Sequence, residues 1–366
     1  MSKKVINIIG GGCAGLSLAR FSSVLKKYNF NLFVGLKKDN NKDHFWGFWK
    51  NSFLEDAYQN ADFTWFKWSI ITNESHQIMT SKKHPYCAIK RKKWLAYCLK
   101  ESSAGKVKVF EENVSEKNNQ LLMTNKKIIC GNYTFDSRPP SIPKNILLQH
   151  FEGCVVKSEI DVFDSETVTL MDFRCDQSRG VHFLYLLPLS KKVALVESTL
   201  FSKKIENSEY YFDSIKSYLK TFYSLTEYSM TDFEKGVIPM HDISTKSYKR
   251  HNIGSRGGAI RPSSGYAFVF IQKQIAQIKN NLISNEPIDT KVHKKFDLFM
   301  DKIFLNVINS NPKKIPNIFS NLAKSINGDE MAEFMAGEGR VLTWIKIIKL
   351  MPKAIFIKSF FKVIID

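Results

Sequence analysis

The chain has 366 residues, 43% hydrophobic and 13% aromatic, with only 11 prolines, which excludes a mainly disordered or collagen-like polypeptide and sets the scale at roughly two domains' worth of core. Its 54 Lys and Arg against 35 Asp and Glu leave a formal charge of +19, which calls for an anionic partner among nucleic acid, lipid headgroups and phosphorylated cofactors. No uninterrupted apolar run suits a transmembrane helix and the N-terminus lacks the pattern of a signal peptide, so a cytoplasmic protein is expected.

In chain order, residues 3–9 predict a short buried strand, Gly10-Gly11-Gly12-Cys13-Ala14-Gly15 follows at once, and residues 16–25 carry apolar side chains at helical spacing. Strand, GxGxxG and helix in that order form a dinucleotide-binding pattern. Gly10 makes the tight turn, Gly12 lets the backbone approach a pyrophosphate, Gly15 allows close packing of helix on sheet, and the helix start around Ala14 offers free N–H groups to phosphate. Residues 29–34 predict the second strand. The acid that usually holds the ribose, about 20 positions after the last glycine, is replaced by Gly35, which leaves Asp39 or backbone groups for that task. Lys37 and Lys38 read either as a solvated pair or as phosphate contacts.

Phe45, Trp46, Phe48, Trp49, Phe53, Trp65, Phe66 and Trp68 are dense enough for core or, around Gly47, for the lining of a long apolar pocket. Residues 106–110 and 127–130 predict short strands, and Pro139-Pro140 ends regular structure. Residues 168–173, 181–187 and 193–199 predict three strands, 208–223 a helix, 236–240 a strand end, and 253–258 a second glycine-rich turn. After Arg261-Pro262-Ser263-Ser264-Gly265, residues 266–282 predict another helix. Gly257, Gly258, Pro262 and Gly265 then bring a helix N-terminus toward negative charge on a flavin's pyrimidine edge, although by themselves they also suit a helix-capping loop. The remainder is helical in character. Cys13, Cys87, Cys98, Cys130, Cys154 and Cys175 have no CxxC spacing and read as reduced thiols, and the histidines show no metal-ligand spacing, so no metal site is expected.

These segments, taken in order, resemble the FAD-binding lycopene cyclase family of bacteria and plants. The resemblance rests on GGGCAGLSLA from Gly10, DHFWGFW from Asp43, FDSRPP from Phe135, LLQHFEG from Leu147, LMDFRCDQ from Leu170, FLYLLPLSKKVALVESTLFS from Phe183, GVIPM from Gly236, GGAIRPSSGYAF from Gly257 and the segment 335–352. It implies an α/β fold with a Rossmann-like FAD-binding domain of the flavin-monooxygenase or glutathione-reductase type, formed by 1–85, 125–155 and 236–285. A mixed-sheet substrate domain, 86–124 and 156–235, is inserted, and a helical C-terminal region, 286–366, is available for membrane contact. The implied reaction is acid-catalysed closure of the psi ends of lycopene to beta rings, giving gamma-carotene and beta-carotene without net redox change. Reduced FAD is the implied cofactor and NAD(P)H its electron source.

The family's catalytic acid falls on Glu197. Val193, Leu195, Glu197 and Thr199 share one strand face, so Glu197 is a carboxyl on a largely apolar surface, where desolvation favours the neutral form a general acid needs. A structural carboxylate paired with Arg or Lys is the competing reading. Asp242 is the second candidate acid or base, competing with a solvated loop role. His241-Asp242 and Arg256 depart from the family's usual small residues, Arg256 reading as a partner of flavin or pyrophosphate or as a solvent-facing side chain. Rival functions are a flavin-dependent monooxygenase or halogenase, although Trp65-Phe66-Lys67-Trp68-Ser69-Ile70 lacks the halogenase WxWxIP pattern, and a non-catalytic flavin- or carotenoid-binding protein. The run Trp344 to Lys362 mixes large apolar residues with lysines, as does an interfacial segment or a packed terminal helix. Lycopene and the inner face of the cell membrane are thus the expected partners and nucleic acid is not, while the oligomeric state stays open.

Overall fold

A computed structural model describes residues 3–36, 43–117, 120–244 and 250–365. The contacts considered for Lys37, Lys38 and Asp39 lie outside the described residues. Lys4–Ile9 is a strand with its last four side chains buried. It pairs in parallel with Tyr28–Val34 on one side and Tyr133–Asp136 on the other, and Lys108–Glu111 and His251–Asn252 complete a five-stranded parallel sheet. Continuous apolar runs suit such strands because both faces are covered. The first helix, Cys13–Ala19, stops earlier than its periodicity predicts and tightens into a 3-10 turn, Arg20–Ser23. There Arg20 turns inward, donating to the Ser17 carbonyl at 3.2 Å and to Gln272 Oε1 at 3.0 Å.

The second layer is a seven-stranded sheet in the order Ser229–Pro239, Leu148–Lys157, Val193–Ser202, Val181–Pro188, Thr167–Asp172, Lys67–Ile71, His76–Thr80. Only the Thr167–Asp172 and Lys67–Ile71 neighbours are parallel. A small antiparallel sheet of Phe45–Trp49, Tyr86–Lys90 and Phe63–Trp65 joins the two layers. Strand pairing divides the chain differently from the sequence-derived boundaries. Lys108–Glu111, expected in the substrate unit, extends the parallel sheet. Leu148–Lys157 and Lys67–Thr80, expected with the cofactor unit, belong to the mixed sheet. Local patterning specifies a strand, but its partner is set by long-range packing. Residues 127–130 form only an isolated bridge, Leu122 to Ile128, after Lys126 takes φ 64°.

Among the described residues the apolar side chains form four clusters, two of them large. One packs the parallel sheet against the first helix and helix Phe268–Ser284, and the other packs the mixed sheet against helices Lys295–Ser310, Ile315–Ser325, Gly328–Met335 and Val341–Leu350. Tyr266 touches both cores. Of the aromatic-rich segment, Phe48, Trp49, Trp65 and Trp68 are buried, whereas Phe45 and Trp46 are half-buried. Both uses of that segment are therefore realised. Among the described residues no helix is long and apolar enough to cross a membrane.

Candidate functional site

The glycine motif sits where the parallel strands end. Gly10 takes φ 103°, a conformation that favours glycine. Ser137 Oγ ties the end of the neighbouring strand to this turn by donating to the Ile9 carbonyl at 2.8 Å. A Cβ on Gly15 would collide with the Gly10 carbonyl oxygen, whereas one on Gly12 would meet nothing within 4 Å. Gly15 thus serves packing, and Gly12 opens a cradle over the uncapped start of the first helix. Ala14 is buried against the second glycine turn, where a Cβ on Gly254 would lie 2.8 Å from its own. The missing ribose acid is a real vacancy in the sequence pattern: Gly35 stands at the strand end, and Asn113 Oδ1 accepts from the Leu36 N–H at 3.2 Å.

Four basic and acidic groups lie beside this turn. Asp136 is fully buried. Burial opposes its charge, but hydrogen bonds from Arg138 outweigh it and hold the carboxyl below its ordinary range. Arg250 Nε lies 3.3 Å from the same carboxylate. Arg256, read as a flavin partner or a solvent-facing group, instead donates to the Arg138 carbonyl at 2.9 Å.

Between the sheets lies a cavity of about 550 Å³ whose lining includes Phe45, Trp46, Trp49, Tyr86, Phe151, Phe183, Tyr185, Glu197, Glu234 and residues 264–268. Its position follows from strand register. Gly153 of Leu148–Lys157 stands opposite Glu197 on one neighbour and opposite Glu234 on the other, and Glu197 stands opposite Tyr185. Residues directly opposite in antiparallel strands project to the same face. Glu234, Gly153, Glu197 and Tyr185 therefore form one row across the cavity wall. Gly153 leaves the room above it: a Cβ there would lie 2.7 Å from Glu197 Cγ.

Glu234 reaches this row through a bulge. The pairing Val155 with Thr231 shifts by one residue to Gly153 with Glu234, and Asp232 takes φ 48°. Without the extra residue Phe233 would face Gly153, because a one-residue slip exchanges the faces of a strand. Phe233 is instead 39% exposed and Glu234 only 7%.

The two carboxyl-bearing residues flank Gly153 on one face, and each feels the other electrostatically. Burial, together with the charge of Glu234 and the hydrogen bond to it, keeps Glu197 neutral well above the ordinary carboxylate range. Burial also pushes Glu234 up to about 7, despite a hydrogen bond from the Phe45 backbone N–H. Beyond them the Tyr86 and Tyr185 hydroxyls meet at 3.0 Å, both held protonated by burial. Trp49 stacks on Tyr266 at 5.7 Å and Trp46 on Phe268 at 5.0 Å.

The second glycine segment closes the cavity opposite the row. The loop from Arg261 folds back on itself, with Arg261 N–H donating to the Tyr266 carbonyl and Gly265 N–H to the Arg261 carbonyl, both at 2.9 Å. Beneath it the buried Arg261 guanidinium faces Asp301 at 3.3 Å, and Ser263 Oγ donates to the same carboxylate at 2.7 Å. Gly258 and Gly265 take φ 76° and 66°. Helix Phe268–Ser284 then starts without a side-chain cap, its first turn at the cavity wall. Gly265 lines the cavity, while Gly257, Gly258 and the buried Pro262 stand behind it and shape the turn.

Of the two expected acids, the structure brings Glu197 to this cavity and not Asp242. Asp242 is exposed, accepts from the Ser244 N–H at 3.0 Å and is absent from the lining. The loop after Pro239 carries it outward, and Glu234, missed in the sequence, occupies the place beside Glu197. A second, apolar cavity of about 360 Å³ opens between the Arg261 loop and the C-terminal helices. It shares Ser264, Phe319, Leu322 and Met335 with the first.

Residues 5–322 match the family model described as lycopene cyclase protein. No curated protein matches the chain by sequence. In fold the chain is similar to a geranylgeranyl bacteriochlorophyll reductase-like protein from Thermoplasma acidophilum, at 12% identity and TM-score 0.58 over 99% of this chain and 100% of that one. It is also similar to Klebsiella pneumoniae HpxO complexed with FAD and uric acid, at 10% identity and TM-score 0.60 over 93% and 97%. A flavin-dependent halogenase from Xanthomonas campestris aligns at 10% identity and TM-score 0.54 over 99% and 94%. At these identities the likeness concerns the fold.

Proposed function

The chain belongs to the lycopene cyclase family, and from that premise we propose that it closes the psi ends of lycopene to beta rings, with Glu197 as proton donor. The observation that carries this reading is a carboxyl kept neutral by burial and a second carboxyl, set in the wall of an aromatic cavity. A polyene hydrocarbon has its π electrons as its reactive groups, and a neutral carboxyl can protonate one of its double bonds.

FAD fits the residues present. The open space at Gly12 and the free N–H groups near Ala14 suit a pyrophosphate, and the uncapped start of helix Phe268–Ser284, with Gly265 before it, suits the anionic edge of a flavin. Gly257, Gly258 and Pro262 hold that turn. When bound in reduced form, with NAD(P)H as the electron source, the flavin supplies negative charge near a developing cation and is not consumed.

The chain's own groups account for the rest. Glu197 gives its proton to C2 of the terminal double bond, leaving a tertiary cation at C1. The pair of the C5–C6 double bond closes the six-membered ring, and loss of the C6 proton sets the beta double bond. Tyr185, Tyr86, Trp49 and Tyr266 line the cavity and keep water from the cation, and a ring face presented to it adds an attraction of about 0.5–2 kcal/mol.

The substrate lies in bilayers, and the C-terminal helices suit a bilayer surface. On Val341–Leu350 and Lys353–Ile365, Val341, Leu342, Ile345, Ile357, Phe361 and Ile365 are exposed, interspersed with Lys346, Lys349, Lys358 and Lys362. The second cavity runs from these helices toward the first, a path for the remaining polyene. Incubation of the protein with reduced FAD and lycopene in liposomes tests the reading: a cyclic isomer is expected, and unchanged lycopene refutes it.

A further inference from the structure

We propose that Glu197 and Glu234 act as one acid–base unit sharing a single proton, Glu197 delivering it to the substrate and Glu234 positioning and restoring it. The proposal rests on reading this cavity as the site of ring closure.

Three independent features of the backbone bring the pair together. The register sets Glu197 opposite Gly153, the bulge at Asp232 sets Glu234 there in place of Phe233, and the absent side chain of Gly153 leaves space beside Glu197. Glu234 Oε1 is fully enclosed and has no conventional donor. Such an atom is costly unless a proton lies between it and its neighbour. His44, Tyr86 and Tyr185 share the cavity lining with the pair. The adjacent Lys235 is engaged by Glu152 Oε1 at 2.8 Å. Two enclosed carboxyl groups side by side hold one negative charge readily and two with difficulty, so one proton stays on the pair.

The cycle balances within the pair. The O–H bond of Glu197 breaks, its electrons stay on oxygen, and the proton forms the new C2–H bond with the terminal π pair. The second negative charge then sits beside the carbocation that compensates it. After ring closure the C6–H bond breaks, its electron pair becomes the C5–C6 double bond, and the proton returns to the carboxyl pair, where the hydrogen bond lets it settle on Glu197. No oxidant, reductant or external acid is consumed. A lone Glu197 would have to serve both C2 and C6 from one carboxyl and lacks the neighbouring charge that keeps it loaded.

Infrared titration of the flavin-loaded protein in D₂O tests this without reference to turnover. The wild type is expected to show a protonated-carboxyl band that persists above the ordinary carboxylate range, and Glu197→Gln is expected to remove the higher of its two steps. In Glu234→Gln, whose amide is neutral and donates to the carboxylate, the band is expected to disappear at least about one pH unit lower. The alkaline limb of lycopene turnover is expected to move the same way, leaving about tenfold less active enzyme on that limb. An unshifted band and limb overturn the proposal. Should Glu234→Gln not fold, the wild type alone decides: two carboxyl steps separated by more than about one pH unit support the shared proton, and a single step overturns it. If the band shifts but no cyclic product forms even in the wild type, the pair stands and the lycopene reading falls.

Discussion

Replacing Gly153 by Ala separates the two carboxyl groups while leaving both in the chain. The added methyl would lie 2.7 Å from Glu197 Cγ and 2.8 Å from the Val196 carbonyl oxygen. Ordinary carbon contacts begin near ~3.5 Å, so Glu197 has to withdraw by about 0.8 Å. Overpacking of this kind costs about 1–3 kcal/mol, a melting temperature lower by roughly 2–6 °C in a chain of this size. The functional effect is larger than the loss of stability, because about 1 Å of misplacement at a reacting group can reduce rate on the order of 100-fold. The expectation is therefore a folded, flavin-binding protein that turns over lycopene at least about tenfold more slowly. Melting curves and steady-state cyclisation by the same preparation provide the measurement. Wild-type turnover with an unchanged melting temperature would refute the claim that this glycine creates the site.

The glycines of the first turn should separate by role. Gly12→Ala is expected to keep the melting temperature of the apoprotein and weaken FAD binding, whereas Gly15→Ala, whose methyl meets the Gly10 carbonyl, should lose both. Flavin titration and thermal unfolding distinguish them, and equal stability loss in the two would contradict the assignment. For pH, Glu234 is pushed up to about 7 from an ordinary 4.5. Between those values the folded chain keeps a proton the unfolded chain has released, so this contribution is complete below the lower value and declines as pH rises through the higher one. Denaturation should show a loss on the order of 1–3 kcal/mol across that window, flattened in Glu234→Gln. A slope of opposite sign in the wild type alone would count against the burial of this carboxyl. Co-sedimentation with anionic vesicles should weaken with salt and on replacing Lys346, Lys349, Lys358 and Lys362 by Gln, each lysine near the surface contributing about 1 kcal/mol. Salt-insensitive binding, or none, would assign those helices another role.

The glycine turn was legible because its requirements are local: a strand, a positive φ at Gly10 and an unobstructed Gly12 all lie within a few residues. Glu197 was singled out by the family resemblance, and alternation placed it on the strand face that carries Thr199, which also lines the cavity. Glu234 was not. In Asp232-Phe233-Glu234-Lys235 it reads as part of a solvated acidic edge, and only the bulge and the pairing with Gly153, 81 residues earlier in sequence, turn it inward. Asp242 takes the solvated loop place that competed with an acid–base one, because proximity in sequence to the Gly236 strand end says nothing about the direction the chain takes after Pro239. The domain boundaries differ on similar grounds, since Lys108–Glu111 is assigned to the parallel sheet by its pairing with Tyr28–Val34 and by nothing in its own pattern. The opening charge excess narrows to the lysines of the terminal helices and the arginines around Asp136.

Carotenoid analysis of lycopene-accumulating cells expressing either the wild-type chain or Glu197→Gln tests the central claim most directly. The account predicts cyclic carotenes of unchanged mass from the wild type, and only lycopene from Glu197→Gln despite normal flavin content. Unchanged lycopene in both, or equal cyclisation in both, would contradict it.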